Sequence, residues 1–251
     1  MVIVGIGASV RIVGIIQARM GSTRLPGKVL RDLHGRSVLS WVVRAVRQAG
    51  AVDDLVVATT NEPADDAVVA ECRTLGVRWH RGPVDDVLTR FVQALAARPG
   101  DAVMRITADC PLLDPEVIRE AALVYRAVPG LDYVSTGLAR TLPRGLDVEI
   151  VGVPALRRAD REATGHHRVH VTSYVYSHPG GSRLLGLAHS PAAPDLRVTL
   201  DTEDDWRLIS HVVAEFGDRC VPFAVLVGFL RARPDVRLLN AHVEQKALQE
   251  A

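Results

Sequence analysis

The sequence lacks any apolar run long enough to cross a bilayer. The longest near its start, MVIVGIGASV, is broken by Arg11, short of the roughly 20 residues a spanning helix needs. That stretch also has no basic leading region and no small-residue cleavage site, which argues against a secretory signal. Cytoplasmic residence, with no membrane partner, is the expectation. Cysteine is scarce as well. Cys72, Cys110 and Cys220 are odd in number and far apart, with no C-x-x-C pair. This fits a reducing compartment and offers no metal-site spacing. An excess of one charge is missing too. Lys and Arg number 30 against 29 Asp and Glu, a formal charge of +1, whereas surfaces that grip nucleic acid broadly are strongly basic. Phosphate binding must therefore come from a local cluster of cations. No internal repeat or low-complexity linker interrupts the chain.

What is present describes an ordinary globular protein. Hydrophobic residues make up 48% and charged residues 24% of 251, enough for one sizeable core. Short β-branched runs alternate with longer amphipathic segments over the first two-thirds. Strands are expected at residues 11–17, 55–60, 77–80 and 102–107. Helices are expected at 37–48 (Ser37 as N-cap), 63–75, 84–97 and 115–128. Strand-helix alternation with continuous apolar strands indicates a parallel sheet covered on both faces, with ligands at the carboxyl ends of the strands. From about residue 130 the pattern changes. Strands are expected at 133–135, 147–151 and 196–200, and helices at 154–162, 166–176 and 202–216. Thr202 and Asp205 resemble a capping box. Residues 130–195 read as an excursion that covers the sheet edge and supplies acceptor contacts and a dimer surface. Residues 1–10 read as an N-terminal extension, 11–231 as the domain, and 232–251 as a peripheral tail.

Three stretches carry chemistry. Gln17-Ala18-Arg19-Met20-Gly21-Ser22-Thr23-Arg24-Leu25-Pro26-Gly27-Lys28 follows a core strand and concentrates cations, glycines and hydroxyls. Glycines let backbone N–H groups converge on an anion, while Arg19, Arg24 and Lys28 neutralise a triphosphate. The spacing is not that of a P-loop. Arg105-Ile106-Thr107-Ala108-Asp109 ends a strand in a carboxylate, a natural Mg²⁺ ligand beside polyphosphate, although alone Asp109 reads equally as a cap of the turn before Pro111. Arg197-Val198-Thr199-Leu200-Asp201 repeats the arrangement, although Asp201 alone reads more readily as a helix N-cap than as a ligand. Together, two strand-end aspartates and a basic glycine loop suit metal-assisted displacement at phosphorus. Asp147 and Glu149 alternate on an expected strand and are candidates for one acceptor-facing surface.

These residues resemble a known family. QARMGSTRLPGK, ATTNEPADD, GPVDDVLTRF, RITADCPLLDP, GLDVE and VTLDTEDDW occur in the order found in the cytidylyltransferase superfamily. That superfamily includes CMP-3-deoxy-manno-octulosonate and CMP-acylneuraminate synthetases, and the nearest group is spore coat polysaccharide biosynthesis protein F. The resemblance spans roughly residues 11–217. It implies an α/β Rossmann-like nucleotidyltransferase (GT-A-like) fold, an α/β/α sandwich with an inserted acceptor and dimerisation region. It also implies CTP and a small anionic acceptor as substrates, Mg²⁺ as cofactor, release of pyrophosphate and a homodimer. Arg19, Arg24 and Lys28 match its triphosphate loop, and Asp109 and Asp201 its metal aspartates. Gln17, Ala18, Gly21, Ser22, Thr59, Thr60, Asn61, Arg105 and Thr107 fall in its nucleotide-binding segments, while Asp147, Glu149, Arg168 and His170 fall in the acceptor half.

The chain departs from that group in the acceptor half. Where the group carries R-E-H-V-T-P-Y, this chain has Arg168-Val169-His170-Val171-Thr172-Ser173-Tyr174, and Val198 stands where a Trp is usual. His166, His167 and His170 imitate a zinc motif without its Glu or a distant third ligand, so acceptor contact is the better reading. Gly5 and Gly7 imitate half a dinucleotide fingerprint whose third glycine is missing. A glycosyltransferase of the same fold class would carry a D-x-D motif, and Asp109 stands without one. A non-catalytic nucleotide-binding relative would have no need of the whole basic loop and both aspartates.

Overall fold

The computed structural model describes residues 10–245. Gly5 and Gly7 lie outside the described residues, as do most of the N-terminal extension and the last six residues. Seven strands form one sheet: β1 (Ile12–Gln17), β2 (Asp54–Thr60), β3 (Arg78–Gly82), β4 (Ala102–Thr107), β5 (Tyr133–Ser135), β6 (Glu149–Gly152) and β7 (Leu184–Gly186). Their order is β3-β2-β1-β4-β6-β5-β7. Four neighbours, β3 to β4, run parallel, β6 runs against β4 and β5, and β7 is parallel to β5. The result is a mixed but predominantly parallel sheet in an α/β Rossmann-like fold, as expected, with the antiparallel pairs confined to β6.

Strand side chains alternate between two apolar layers. Ile12 and Ile16 of β1 pack on one face with α1 (Val38–Ala49), α4 (Pro115–Ala127), α8 (Glu203–Phe216) and α9 (Phe223–Ala232). Val13 and Ile15 face the other layer, with α3 (Val87–Ala97) and α5 (Val153–Glu162). The first layer also takes Val68 and Cys72 of α2 (Asp66–Thr74), which is entered by a 3₁₀ turn at Pro63–Asp65. Local chemistry sets the helix starts. Ser37 Oγ accepts from Ser40 N at 3.0 Å, Asp86 Oδ1 from Thr89 N at 2.8 Å and Asp114 Oδ1 from Glu116 N at 2.9 Å. Such caps contribute about 1 kcal/mol each. Thr202 and Asp205 form the expected capping box.

Three expectations are corrected. The helix expected over 166–176 is two short ones, α6 (His166–Val169) and α7 (Ser173–Ser177), because Val171 takes φ 21° between them. That break lets Thr172, 1% exposed, turn inward and donate to the Glu149 carboxylate. The strand expected at 196–200 is an extended segment with one bridge, Arg197 to Arg144. It is wedged between two loops: Val198 N donates to Arg144 O at 2.7 Å and Leu200 N to Asp109 O at 2.8 Å. Gly145 permits this approach, since a Cβ there would lie 2.5 Å from Thr199 N. The tail is not peripheral. After α9 the chain forms α10 (Pro234–Arg237) and a 3₁₀ turn at Leu238–Asn240, burying Val236 and Asn240 against the body of the protein.

Candidate active site

The sheet order reverses between β1 and β4, and a cavity of about 710 Å³ opens beyond the carboxyl ends of those two strands, where open α/β sheets bind ligands. The loop after β1 supplies one wall. Gly27 takes φ 71° and donates its N–H to Met20 O at 3.0 Å, closing residues 20–27 into a compact turn. Only glycine adopts that conformation without strain. Asp65 anchors the loop from behind, accepting from Met20 N at 2.7 Å and Thr60 N at 3.0 Å. The turn aims Lys28 across the cavity floor.

Lys28 joins the two predicted metal aspartates. Its Nζ donates to Asp109 Oδ2 at 2.7 Å, Asp201 Oδ1 at 2.8 Å and Leu200 O at 2.7 Å, satisfying all three ammonium donors. Burial lowers the affinity of this amine for its proton, but the two carboxylates outweigh burial, so its pKa is raised and the charge is held. Asp109 shows the converse. Burial raises its pKa, and Lys28 more than cancels that, leaving the carboxyl below its ordinary range. Asp201 Oδ2 is shared by Arg24 Nη2 at 3.1 Å and Arg197 Nη2 at 2.6 Å. Asp109 and Asp201 therefore already converge on one cation. Among the described residues no cluster of three or more acidic, His or Cys side chains forms a metal cage. Two carboxylates are the donor set Mg²⁺ takes when substrate phosphates and water complete its shell, so the residues fit that ion.

Opposite them lies a buried polar hub. Glu149 accepts from Tyr133 Oη at 2.6 Å, from the Thr172 hydroxyl, and from Arg105. Burial pushes its pKa up, but the Arg105 charge and these hydrogen bonds win and hold it low. Arg140 Nη2 lies 2.8 Å from Asp147 Oδ1, while Arg19 and Arg144 line the cavity with no ion pair among the described residues.

Gln17, Arg19, Gly21, Ser22, Arg24, Lys28, Arg105, Thr107, Asp109, Asp147, Glu149, His170 and Asp201 all line the one cavity. Five predicted residues do not. Ala18 is buried and extends the sheet by donating to Ala58 O at 3.1 Å. Thr59 is fully buried, Thr60 is bonded to Asp65, and Asn61 is bonded through its N–H to Gly82 O at 3.0 Å. Arg168, placed in the acceptor half, instead clamps α6 to its neighbours through Asp86 (2.7 Å) and Asp160 (3.0 Å). Only Glu149 of the pair Asp147/Glu149 belongs to β6; Asp147 reaches the cavity from the preceding turn. Sequence reasoning missed Tyr133, Arg140, Arg144, Thr172 and Gln245 on the wall, and Arg197 and Asp205 behind it. Arg140-Thr141-Leu142-Pro143-Arg144-Gly145 carried a signal, a second loop of paired Arg with Pro and Gly.

A basic loop and paired carboxylates across the switch point of an α/β sheet define a nucleotidyltransferase. A family model described as cytidylyltransferase matches residues 13–188. The chain is 35% identical to the uncharacterized protein MJ1063 of Methanocaldococcus jannaschii over 96% of this chain and 98% of that protein. It is also 35% identical to the spore coat polysaccharide biosynthesis protein SpsF of Bacillus subtilis, over 88% and 94% of the two chains. Among solved structures, a cytidylyltransferase from Leptospira borgpetersenii serovar Hardjo-bovis superposes with TM-score 0.88 at 24% identity, covering 95% and 99% of the two chains. The chain belongs to the cytidylyltransferase family.

Proposed function

We propose that this enzyme transfers CMP from CTP to a small anionic acceptor, a sugar acid, sugar phosphate or phosphonate, with magnesium as cofactor and release of pyrophosphate. The observation that carries this reading is Lys28 Nζ held 2.7 Å from Asp109 and 2.8 Å from Asp201 at the base of the basic loop. An acceptor oxygen bonds to the α-phosphorus while the bond from that phosphorus to the bridging oxygen breaks, and pyrophosphate departs. Arg19, Arg24 and Lys28 lie where charge builds on the departing phosphates, and stabilising developing charge is usually the largest catalytic contribution. Asp109 and Asp201 would hold the magnesium, which when bound offsets negative charge on the phosphate oxygens.

Arg140, Arg144 and His170 line the acceptor end, and Arg144, in no ion pair among the described residues, suits an acidic group. Glu149 serves there as the hub that orients Arg105, Tyr133 and Thr172 rather than as a ligand, since both its oxygens are occupied. The SpsF resemblance supports a role in polysaccharide biosynthesis. No helix among the described residues is long and apolar enough to cross a membrane, which agrees with a cytoplasmic enzyme. Residues 130–195, which include edge strand β7, are the proposed dimer surface.

Pyrophosphate release is the decisive measurement, taken with each of the four nucleoside triphosphates and Mg²⁺ against a panel of sugar acids, sugar phosphates and phosphonates. Release with CTP and one acceptor class is expected. Release with a purine triphosphate instead, or CTP-independent turnover, would overturn the assignment.

A further inference from the structure

Asp201 does not hold its position by itself. Arg197, 7% exposed, spends every guanidinium nitrogen around it: Nη2 on Asp201 Oδ2 at 2.6 Å, Nε on Asp205 Oδ1 at 2.9 Å and Nη1 on Gln245 Oε1 at 2.8 Å. Asp205, fully buried, accepts further bonds at Oδ2 from Asp201 N at 2.9 Å and Thr202 N at 3.0 Å. The backbone and the carboxylate of Asp201 are therefore both fixed by the same pair. Asn240, 2% exposed, completes the set. Its Nδ2 donates to Asp205 Oδ1 at 2.8 Å and to Arg197 O at 3.1 Å. Among the described residues Arg197, Asp205 and Asn240 form no hydrogen bond or ion pair with Lys28 or Asp109, and all three lie beyond the span of the family match, which ends at residue 188.

We infer that Arg197, Asp205 and Asn240 are positioning residues that set the affinity of Asp201 for the divalent cation, so that the C-terminal segment is a working part of the metal site. Buried networks of this kind are costly to leave half satisfied. The partners behind a metal ligand orient it, and losing one typically weakens metal binding 10–100-fold. Two features separate this role from general support of the fold. The guanidinium is used for its shape, three partners in different directions, so a lysine of equal charge cannot replace it. Asn240 acts through its amide alone, whereas its neighbour Val236 contributes packing to the same segment without any bond to the network.

The inference rests on the proposed metal reading, and the experiment separates the two. Mn²⁺ affinity is measured by titration calorimetry on the full chain with CTP present, together with melting temperature. The variants are Asp201→Asn, Arg197→Lys, Asn240→Ala and Val236→Ala. Asp201→Asn and Arg197→Lys are expected to weaken Mn²⁺ at least 10-fold and Asn240→Ala several-fold. Val236→Ala is expected to lower the melting temperature while leaving Mn²⁺ affinity within twofold. The metal concentration for half-maximal rate should rise in the same order, with kcat at saturating metal largely retained for Asn240→Ala. If Arg197→Lys and Asn240→Ala keep wild-type Mn²⁺ affinity and merely melt earlier, as Val236→Ala does, the positioning role is overturned while the metal site stands. If Asp201→Asn also leaves the affinity unchanged, the metal reading and this inference fall together.

Discussion

Replacing Lys28 with Met removes an ammonium that satisfies two carboxylates and a carbonyl at once. The substitution keeps most of the apolar stem of the side chain and deletes the terminal ammonium, with its charge and its three donors. Breaking one partner out of a buried ion pair costs about 3–5 kcal/mol, because the remaining charge is left without compensation. Arg24 and Arg197 still cover Asp201, and the Asp109 side chain keeps 25% exposure to water. The lower end of that range, about 3 kcal/mol, is therefore expected. For a chain of this size that corresponds to a fall of roughly 6–12 °C in Tm. The diagnostic feature is the response to Mg²⁺ without nucleotide. In the wild type a divalent ion must displace an ammonium already seated between Asp109 and Asp201. In Lys28→Met the same gap holds two uncompensated carboxylates, so the ion binds more tightly and returns up to ~2.7 kcal/mol at 100 times its Kd. Calorimetric melting of both proteins across a Mg²⁺ series measures this. A loss of stability below about 1 kcal/mol, or an equal gain with Mg²⁺ in both proteins, would refute the reasoning.

Arg90 is fully buried and its guanidinium nitrogens have no hydrogen-bond partner among the described residues; burial, and then the charge of Arg19, push its pKa down to about 10. Arg90→Met is accordingly expected to raise unfolding stability in denaturant titrations by about 1–3 kcal/mol, the penalty of a buried polar group left without a partner. Arg144→Ala should raise KM for the acceptor about 10- to 100-fold, the worth of a charged hydrogen bond, and leave KM for CTP within twofold in steady-state assays. Glu149 has its pKa lowered on folding, so its stabilising share is present above the unfolded carboxylate range and disappears as pH falls through the folded value. The stability gap between wild type and Glu149→Gln, read by urea melts, is therefore expected to be widest near neutrality and to close below about pH 4.

The parallel half of the fold was legible because its strands are buried on both faces and read as unbroken apolar runs, as in Ile12–Gln17. The basic loop was legible because a glycine-rich, cationic turn directly after such a strand has few other uses. Asp109 and Asp201 could be paired only because each ends an apolar stretch beside the other motifs. The failures share a different cause. Residues 166–176 keep a helical pattern, yet Val171 leaves it so that Thr172 can reach Glu149, a contact made across the sheet. The segment at 196–200 has the composition of a strand but only a single bridge to bond with. Arg168 looks the same in sequence whether it faces an acceptor or, as here, Asp86 and Asp160. Asn240 lies in a weakly patterned tail, and nothing local announces that its amide ends beneath the site.

Lys28 grips one residue 81 positions away along the chain and another 173 positions away. Contacts that close such long loops are entropically expensive and characterise slow, late steps of folding. The sheet core around β1, β2 and β4 draws on the first 107 residues and can gather before Asp201 exists on a growing chain. A partly synthesised or partly folded molecule thus has a cradle for phosphate but no complete pair of carboxylates. On the proposed reading, then, a chain would gain its paired carboxylates only once Asp201 has been added, after the basic loop and the sheet core are in place.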